Sequence, residues 1–178
     1  MPPTDIATDF VVLLGEDGSE IGVAPKASVH GSDTALHLAF SCHVYNARGE
    51  TLVTRRALDK KTWPGVWTNS FCGHPRPAEP VIDAVHRHAE HELGLTLRDL
   101  RPVLPFFRYR AVDASGFVEP AVSPVYTALV DDEPQIVRGL KVILRKEGYE
   151  VEAAETKKTA LDALSVRPPD VFVPYFFL

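Results

Sequence analysis

Cys72 and His74 stand two residues apart, with Gly73 between them, in the stretch TWPGVWTNSFCGHP that runs from Thr62 to Pro75. If the backbone is extended there, both side chains point to one face. A thiol and an imidazole on one face can make a nucleophile–base pair, an acid–base pair or half of a metal site. Gly73 leaves room for a ligand to approach the main chain.

The elements that must position this pair read as mixed α and β. Phe10–Leu14 is a short apolar strand, Glu16-Asp17-Gly18 a turn, and Ile21–Ala24 a strand pairing back. Lys26 and His30 fall in a polar loop or short helical turn. LHLAFSCHVYN, residues 36–46, and Glu50–Arg56 read as a hairpin over 36–56. Thr62–Trp67 is turn-like and Thr68–Cys72 extended. Glu79-Pro80 opens a helix, with Pro80 at its first position. Ile82, Val85, Ala89 and Leu93 form its buried stripe, and Gly94 ends it. Within it Arg87 and Glu90 lie a turn apart, and His88 and Glu92 share a face. Pro105–Val112 and Phe117–Tyr126 form a second strand pair, joined through Asp113–Gly116. Pro120 threatens to bend its strand.

The 178 residues suffice for one well-buried domain. Apolar content of 45% and charged content of 24% are globular values, and the net charge of -5 excludes general nucleic-acid binding by charge alone. Two cysteines give no disulfide framework, which fits a reducing cytoplasm. No signal peptide and no membrane-spanning run are expected.

Several separated motifs, KASVHGSDTALHLAFSCHVYN, LVTRRALDKKTWPGVWTNSFCGHP, HELGL and FRYRA, resemble the type I isopentenyl diphosphate isomerases, which are Nudix-fold enzymes. The resemblance runs from about Val11 to Ala128. It implies an α+β fold, a Nudix-like mixed sheet sandwiched by helices, and isomerisation of isopentenyl diphosphate to dimethylallyl diphosphate in isoprenoid biosynthesis. It implies a divalent-metal site at His30, His37, His74 and Glu119. Three imidazoles suit Zn²⁺ or Mn²⁺. Cys72 matches the family's catalytic cysteine and Tyr109 its assisting tyrosine. Glu119 matches the first of two glutamates, while Ala121 stands where the second, a ligand and catalytic acid, belongs. Lys26, Arg56 and Lys60 match diphosphate-binding positions, and Trp67 is a candidate wall for a carbocation.

The frame from Gly73 through Glu79 and Arg87 to Glu92-Leu93-Gly94 matches the Nudix box. The family retains its last carboxylate, here Glu92, for Mg²⁺ with the diphosphate. His88 and His91 occupy positions that are acidic in a hydrolase box, which argues against pyrophosphohydrolysis. His88 also stands where the family has a basic diphosphate contact. His43, His86 and His91 match nothing in the site. The implied partner is a small-molecule prenyl diphosphate, with no nucleic acid and no membrane.

After Tyr126 the chain resembles the first half of a response-regulator receiver domain. The division is 1–128, isomerase-like, and 129–178, a βαβαβ-like extension. The position expected for its phosphoacceptor aspartate holds Tyr175. Two rivals follow: a catalytically dead binding or regulatory protein, and a Nudix diphosphate hydrolase.

Overall fold

The structure, a computed structural model, describes residues 9–31, 33–130 and 176–177. Beyond Val130, the receiver-like reading of 129–178 therefore lies outside the described residues, Phe176 and Phe177 excepted.

The chain opens with the expected hairpin, β1 (Phe10–Leu14) and β2 (Glu20–Pro25), running antiparallel. Gly18 makes the turn at φ 82°, where a side chain would be strained, and Asp17 Oδ1 accepts from the backbone N–H and the hydroxyl of Ser19. A four-residue helix, α1 (Lys26–Val29), follows.

Residues 36–46 do not form one strand. They divide at Ala39 into β3 (His37–Leu38) and β4 (Phe40–Tyr45), which enter different sheets. The cause is competition for Ala39: its N–H bonds Val122 O at 2.9 Å. The 36–56 hairpin is likewise corrected. Its turn exists, with Gly49 at φ 81° and Asn46 N–H on Glu50 O, but β5 (Leu52–Arg55) leaves β4 to pair with β6 (Trp67–Thr68). Ser70 explains how both arms stay attached. Its buried hydroxyl donates to Leu52 O and accepts from Val44 N–H, each at 2.7 Å. The Thr68–Cys72 strand breaks at that serine, and β7 (Phe71–Gly73) begins beyond it.

The central helix α2 (Val81–His88) continues into a wider π-turn over Ala89–Leu93, closed by Gly94 at φ 65°. Pro80 is its cap residue, not its first helical residue. Val85, Ala89 and Leu93 are buried as their spacing predicts, with Ala84 and His88, whereas Ile82 is 45% exposed. The inward face lies one position further round the helix than the apolar stripe alone suggested.

Four strands follow the helix before Val130, and they match the expected strand pair only in part. β8 (Arg98–Leu104) is mostly exposed and carries no apolar alternation, so no period marked it. β9 (Arg108–Val112) and β10 (Val118–Val122) form the expected hairpin through Asp113–Gly116. The proposed Phe117–Tyr126 strand divides at Ser123-Pro124, and β11 (Val125–Leu129) joins the other sheet.

The sheets run β2-β1-β3-β10-β9 and β7-β4-β11-β8, with a small third sheet of β6, β5 and β12 (Phe176–Phe177). β3 with β10 and β4 with β11 are parallel, so the sheets are mixed, as expected. Phe40, Cys42 and Val44 alternate inward on β4 and pack with Tyr126 and Ala128 of β11 against Val85, Ala89 and Leu93. A smaller cluster of Val12, Leu14 and Leu36 lies on the five-stranded sheet. Of the helices expected on both faces, the described residues provide α1 and α2 with its π-turn. β11 runs through Leu129 and Val130 is buried, so the core spans both sides of the 128/129 division.

Candidate functional site

Four residues distant in sequence meet because the two parallel pairings hold their strands together. β3 sets His37 opposite Leu13 on one side and Ala121 on the other. Gly31 bridges to Val118, with Val118 N–H on Gly31 O at 2.9 Å, which lays His30 beside Glu119. Thr34 Oγ1 bonds both the N–H and the carbonyl of Gly31 and fixes that loop. β7 pairs Gly73 with Phe40, immediately beyond Ala39, and so delivers His74.

The imidazole centroids of His30, His37 and His74 are separated by 5.3, 5.8 and 5.2 Å. One donor atom from each, with one Glu119 oxygen, lies within 4.8 Å of all the others. His37 Nε2 and both ring nitrogens of His74 are buried without a hydrogen-bond partner. Such atoms are costly unless something binds them. His37 Nδ1 lies 2.9 Å from Ala35 O. A carbonyl only accepts, so Nδ1 carries the proton and Nε2 offers its lone pair to the cluster. Burial holds His74 well below the usual imidazole range and lowers His30, Glu119 partly opposing the latter. Neutral imidazoles with orphaned nitrogens and one carboxylate fit a divalent transition ion.

Tyr109 and Glu119 lie diagonally across the β9–β10 ladder, and the Tyr109 hydroxyl donates to Glu119 Oε1 at 3.1 Å. Burial first, then the Glu119 charge, raises the phenol above its ordinary value, so it keeps its proton. Cys72 feels the charges of Arg56 and Glu119, and Tyr109 feels Cys72. Cys72 lies on β7 and His74 just beyond it, in the segment that pairs with β4. Cys72 retains solvent exposure, yet crowding by neighbouring atoms raises its thiol above the ordinary value, with Arg56 opposing. The residue therefore rests as a thiol. Cys42 is sealed in the core and pushed up to about 12.

Ala121 is fully buried opposite Tyr109. The ladder keeps its register through Pro120, so the proline does not interrupt the pairing. The Arg56 charge opposes the rise of the Cys72 thiol, and its guanidinium holds Thr62 O at 2.9 and 3.1 Å. Lys26 is tied to Asp9 at 3.3 Å and its charge reaches His74. Lys60 is exposed, and its backbone N–H bonds Ala57 O. Trp67 is 46% exposed rather than a core residue.

The helix carboxylates form no second cluster of this kind among the described residues. Arg87, predicted beside Glu90, instead clamps Glu79 with bonds of 2.7 and 2.6 Å and reaches His74 O at 3.4 Å. Glu92 bonds His88 Nδ1 at 2.7 Å. Sequence reasoning missed Asp113, whose Oδ2 accepts from Trp63 N–H at 3.3 Å while Oδ1 accepts from Ser115 and Phe117. It thereby joins the Thr62–Trp67 segment to the Tyr109–Glu119 hairpin. An aspartate opening a turn before Ser and Gly signalled the turn, but nothing signalled the contact with Trp63.

Residues 35–170 match the NUDIX domain. The chain is 68% identical over 128 residues to the isopentenyl-diphosphate Delta-isomerase of Agromyces mediolanus, covering 72% of this chain and 62% of that protein. It is 63% identical over 134 residues to the enzyme of that name from Clavibacter sepedonicus, covering 73% of this chain and 70% of that protein. The chain thus spans less than two thirds of the length of the Agromyces relative. Among solved structures, DR0079 from Deinococcus radiodurans superposes with a TM-score of 0.52 at 16% identity, over 89% of this chain and 99% of that one, and shows the fold. The mixed sheets, the helix with its Glu92-Leu93-Gly94 ending and these matches define a Nudix protein. The chain belongs to the NUDIX family and, within it, to the family of isopentenyl-diphosphate Delta-isomerases.

Proposed function

We propose that the chain converts isopentenyl diphosphate to dimethylallyl diphosphate by adding one proton at the terminal carbon and removing another from the allylic carbon. The observation that supports this best is the Tyr109–Glu119 hydrogen bond beside the histidine cluster, with Cys72 on the strand that leads into the cluster's His74. Opposed proton-transfer groups suit a reaction through a tertiary carbocation, from which water must be excluded. His30, His37, His74 and Glu119 would hold one Mn²⁺ or Zn²⁺, and Glu92 would serve Mg²⁺ carried with the diphosphate. These ions would supply fixed positive charge. Lys26, Arg56 and Lys60 are the proposed diphosphate contacts. A cytoplasmic setting is part of this reading; among the described residues no helix is long and apolar enough to cross a membrane.

Deuterium uptake from D₂O into isopentenyl diphosphate tests the assignment. Slow exchange that disappears in Cys72→Ala supports it, and exchange indifferent to Cys72 removes it. The second reading, a catalytically silent relative, is favoured by the buried methyl of Ala121 on the face shared by Tyr109 and Glu119. We further read residues 129–178 as a non-signalling, receiver-like extension. Phosphoryl donors should leave the chain unlabelled, and stable phosphorylation of Asp131, Asp132 or Asp170 would refute that.

A further inference from the structure

The space on the helix side of Gly73 is filled by an imidazole. A Cβ at Gly73 would lie 2.5, 2.7 and 2.8 Å from Cε1, Nε2 and Nδ1 of His88. Real Cβ atoms do not approach so closely, and Gly73 lacks the positive φ that would call for glycine on backbone grounds. Glycine is needed here because His88 lies flat where its side chain would be. The ring is buried, held edge-on by Phe40 at a centroid distance of 5.2 Å, so it has little freedom to turn.

That fixed ring makes one side-chain bond, Nδ1 to Glu92 Oε1 at 2.7 Å. A carboxylate accepts, so Nδ1 donates. The Glu92 side chain is half exposed, and its second oxygen has no protein partner among the described residues. The bond is therefore not needed to satisfy a buried carboxylate. It orients an exposed one, and the charge of Glu92 is felt at Cys72. The π-turn over Ala89–Leu93 contributes, because its wider turn changes how residues four apart line up.

We propose that His88 is a positioning residue: locked over Gly73, it aims the Glu92 carboxylate along the Cys72–Gly73 edge to receive a divalent cation bound to a diphosphate. The inference rests on the function proposed above for its choice of ligand. His88 thereby serves the diphosphate indirectly, through Glu92.

The test is direct Mn²⁺ binding in the presence of inorganic pyrophosphate, followed by electron paramagnetic resonance on the full chain with the histidine cluster first filled with Zn²⁺. His88→Phe keeps a ring over Gly73 but removes the donor, whereas His88→Asn keeps a donor near the Nδ1 position. Loss of such an orienting bond typically weakens metal binding about 10–100-fold. His88→Phe should approach Glu92→Gln, and His88→Asn should recover most of the affinity. Should the phenyl variant not fold, His88→Met, adaptable in shape and without a donor, carries the same expectation. Affinity unchanged in the donor-less variant, with Glu92→Gln weakened, overturns the inference. Turnover by the wild type is measured separately, so an inactive chain with the expected Mn²⁺ series would refute the isomerase reading and leave His88 in its role.

Discussion

The histidine cluster and the helix carboxylates flank the same short strand, β7, and differ in what their donors already do. In the cluster, three ring nitrogens are buried and unclaimed. On the helix, Glu79 is spent on Arg87, and Glu92 has one oxygen held by His88. The first region is arranged for a ligand that must come from outside. In the second, Glu79 and one oxygen of Glu92 are already committed to internal structure. Among the described residues the helix carboxylates gather into no metal-holding cluster, which supports the isomerase proposal over a multi-metal hydrolase.

Removing a cluster donor is the strongest way to break this contrast. His74→Ala should reduce transition-metal content from about one ion per chain towards none, an affinity loss beyond about 100-fold. Elemental analysis after gel filtration reads it, and equal metal in both proteins would take His74 out of the site.

Supplying the acid that the family resemblance implies at position 121 sharpens it. Ala121→Glu should raise isomerisation by about 10²–10⁴-fold, the usual contribution of a general acid or base. Because β10 keeps its register through Pro120, no compensating change at Pro120 is required. No gain with metal bound would place the defect elsewhere.

On the helix side the expected effect is on stability. Arg87 holds the Glu79 carboxyl down to about 2, with Arg76 N–H assisting. The folded value lies below the unfolded one, near 4.5, so the fold favours the ionised form. This contribution is present above about pH 4.5 and is lost as pH falls towards 2. Glu79→Gln should cost roughly 1.5–3 kcal/mol at neutral pH, the range for hydrogen bonds to charged groups, and little at pH 2. Urea melts at the two pH values decide it; an equal loss at both would remove the ionic explanation.

The smallest effect concerns the thiols. Cys72 should alkylate before Cys42 through access alone, since both are raised above the ordinary thiol value. Its rate should be that of a slow, protonated thiol. Mass mapping with limiting reagent checks the order, and fast labelling would show a thiolate.

Much of the site was legible because its residues lie in short motifs whose internal spacing survives folding. The hairpin turns at Gly18, Gly49 and Gly116 were equally readable, since positive φ leaves a local signature. What escaped depends on partners far along the chain. Ala39 divides a strand because Val122 competes for its N–H, and Ser70 ends one by bonding two strands at once. Arg87 chose Glu79 over Glu90, and Asp113 reached Trp63. β8 left no trace because an exposed strand needs no apolar period.

The parallel pairings that unite the cluster, β3 with β10 and β4 with β11, join segments from opposite ends of the described core. Such non-local contacts form late and slowly, because loop-closure entropy opposes them. No partial fragment of the chain can bring His37 and Glu119 together before that step. Capture of the proposed metal ion by the assembled cluster would therefore report that folding has finished. Any ion bound in this way also shifts the folding equilibrium by mass action, by about 2.7 kcal/mol at a hundredfold excess over its Kd. On the proposed metal occupancy, supply of the divalent ion during synthesis would then be a determinant of how much native protein accumulates, whatever its turnover.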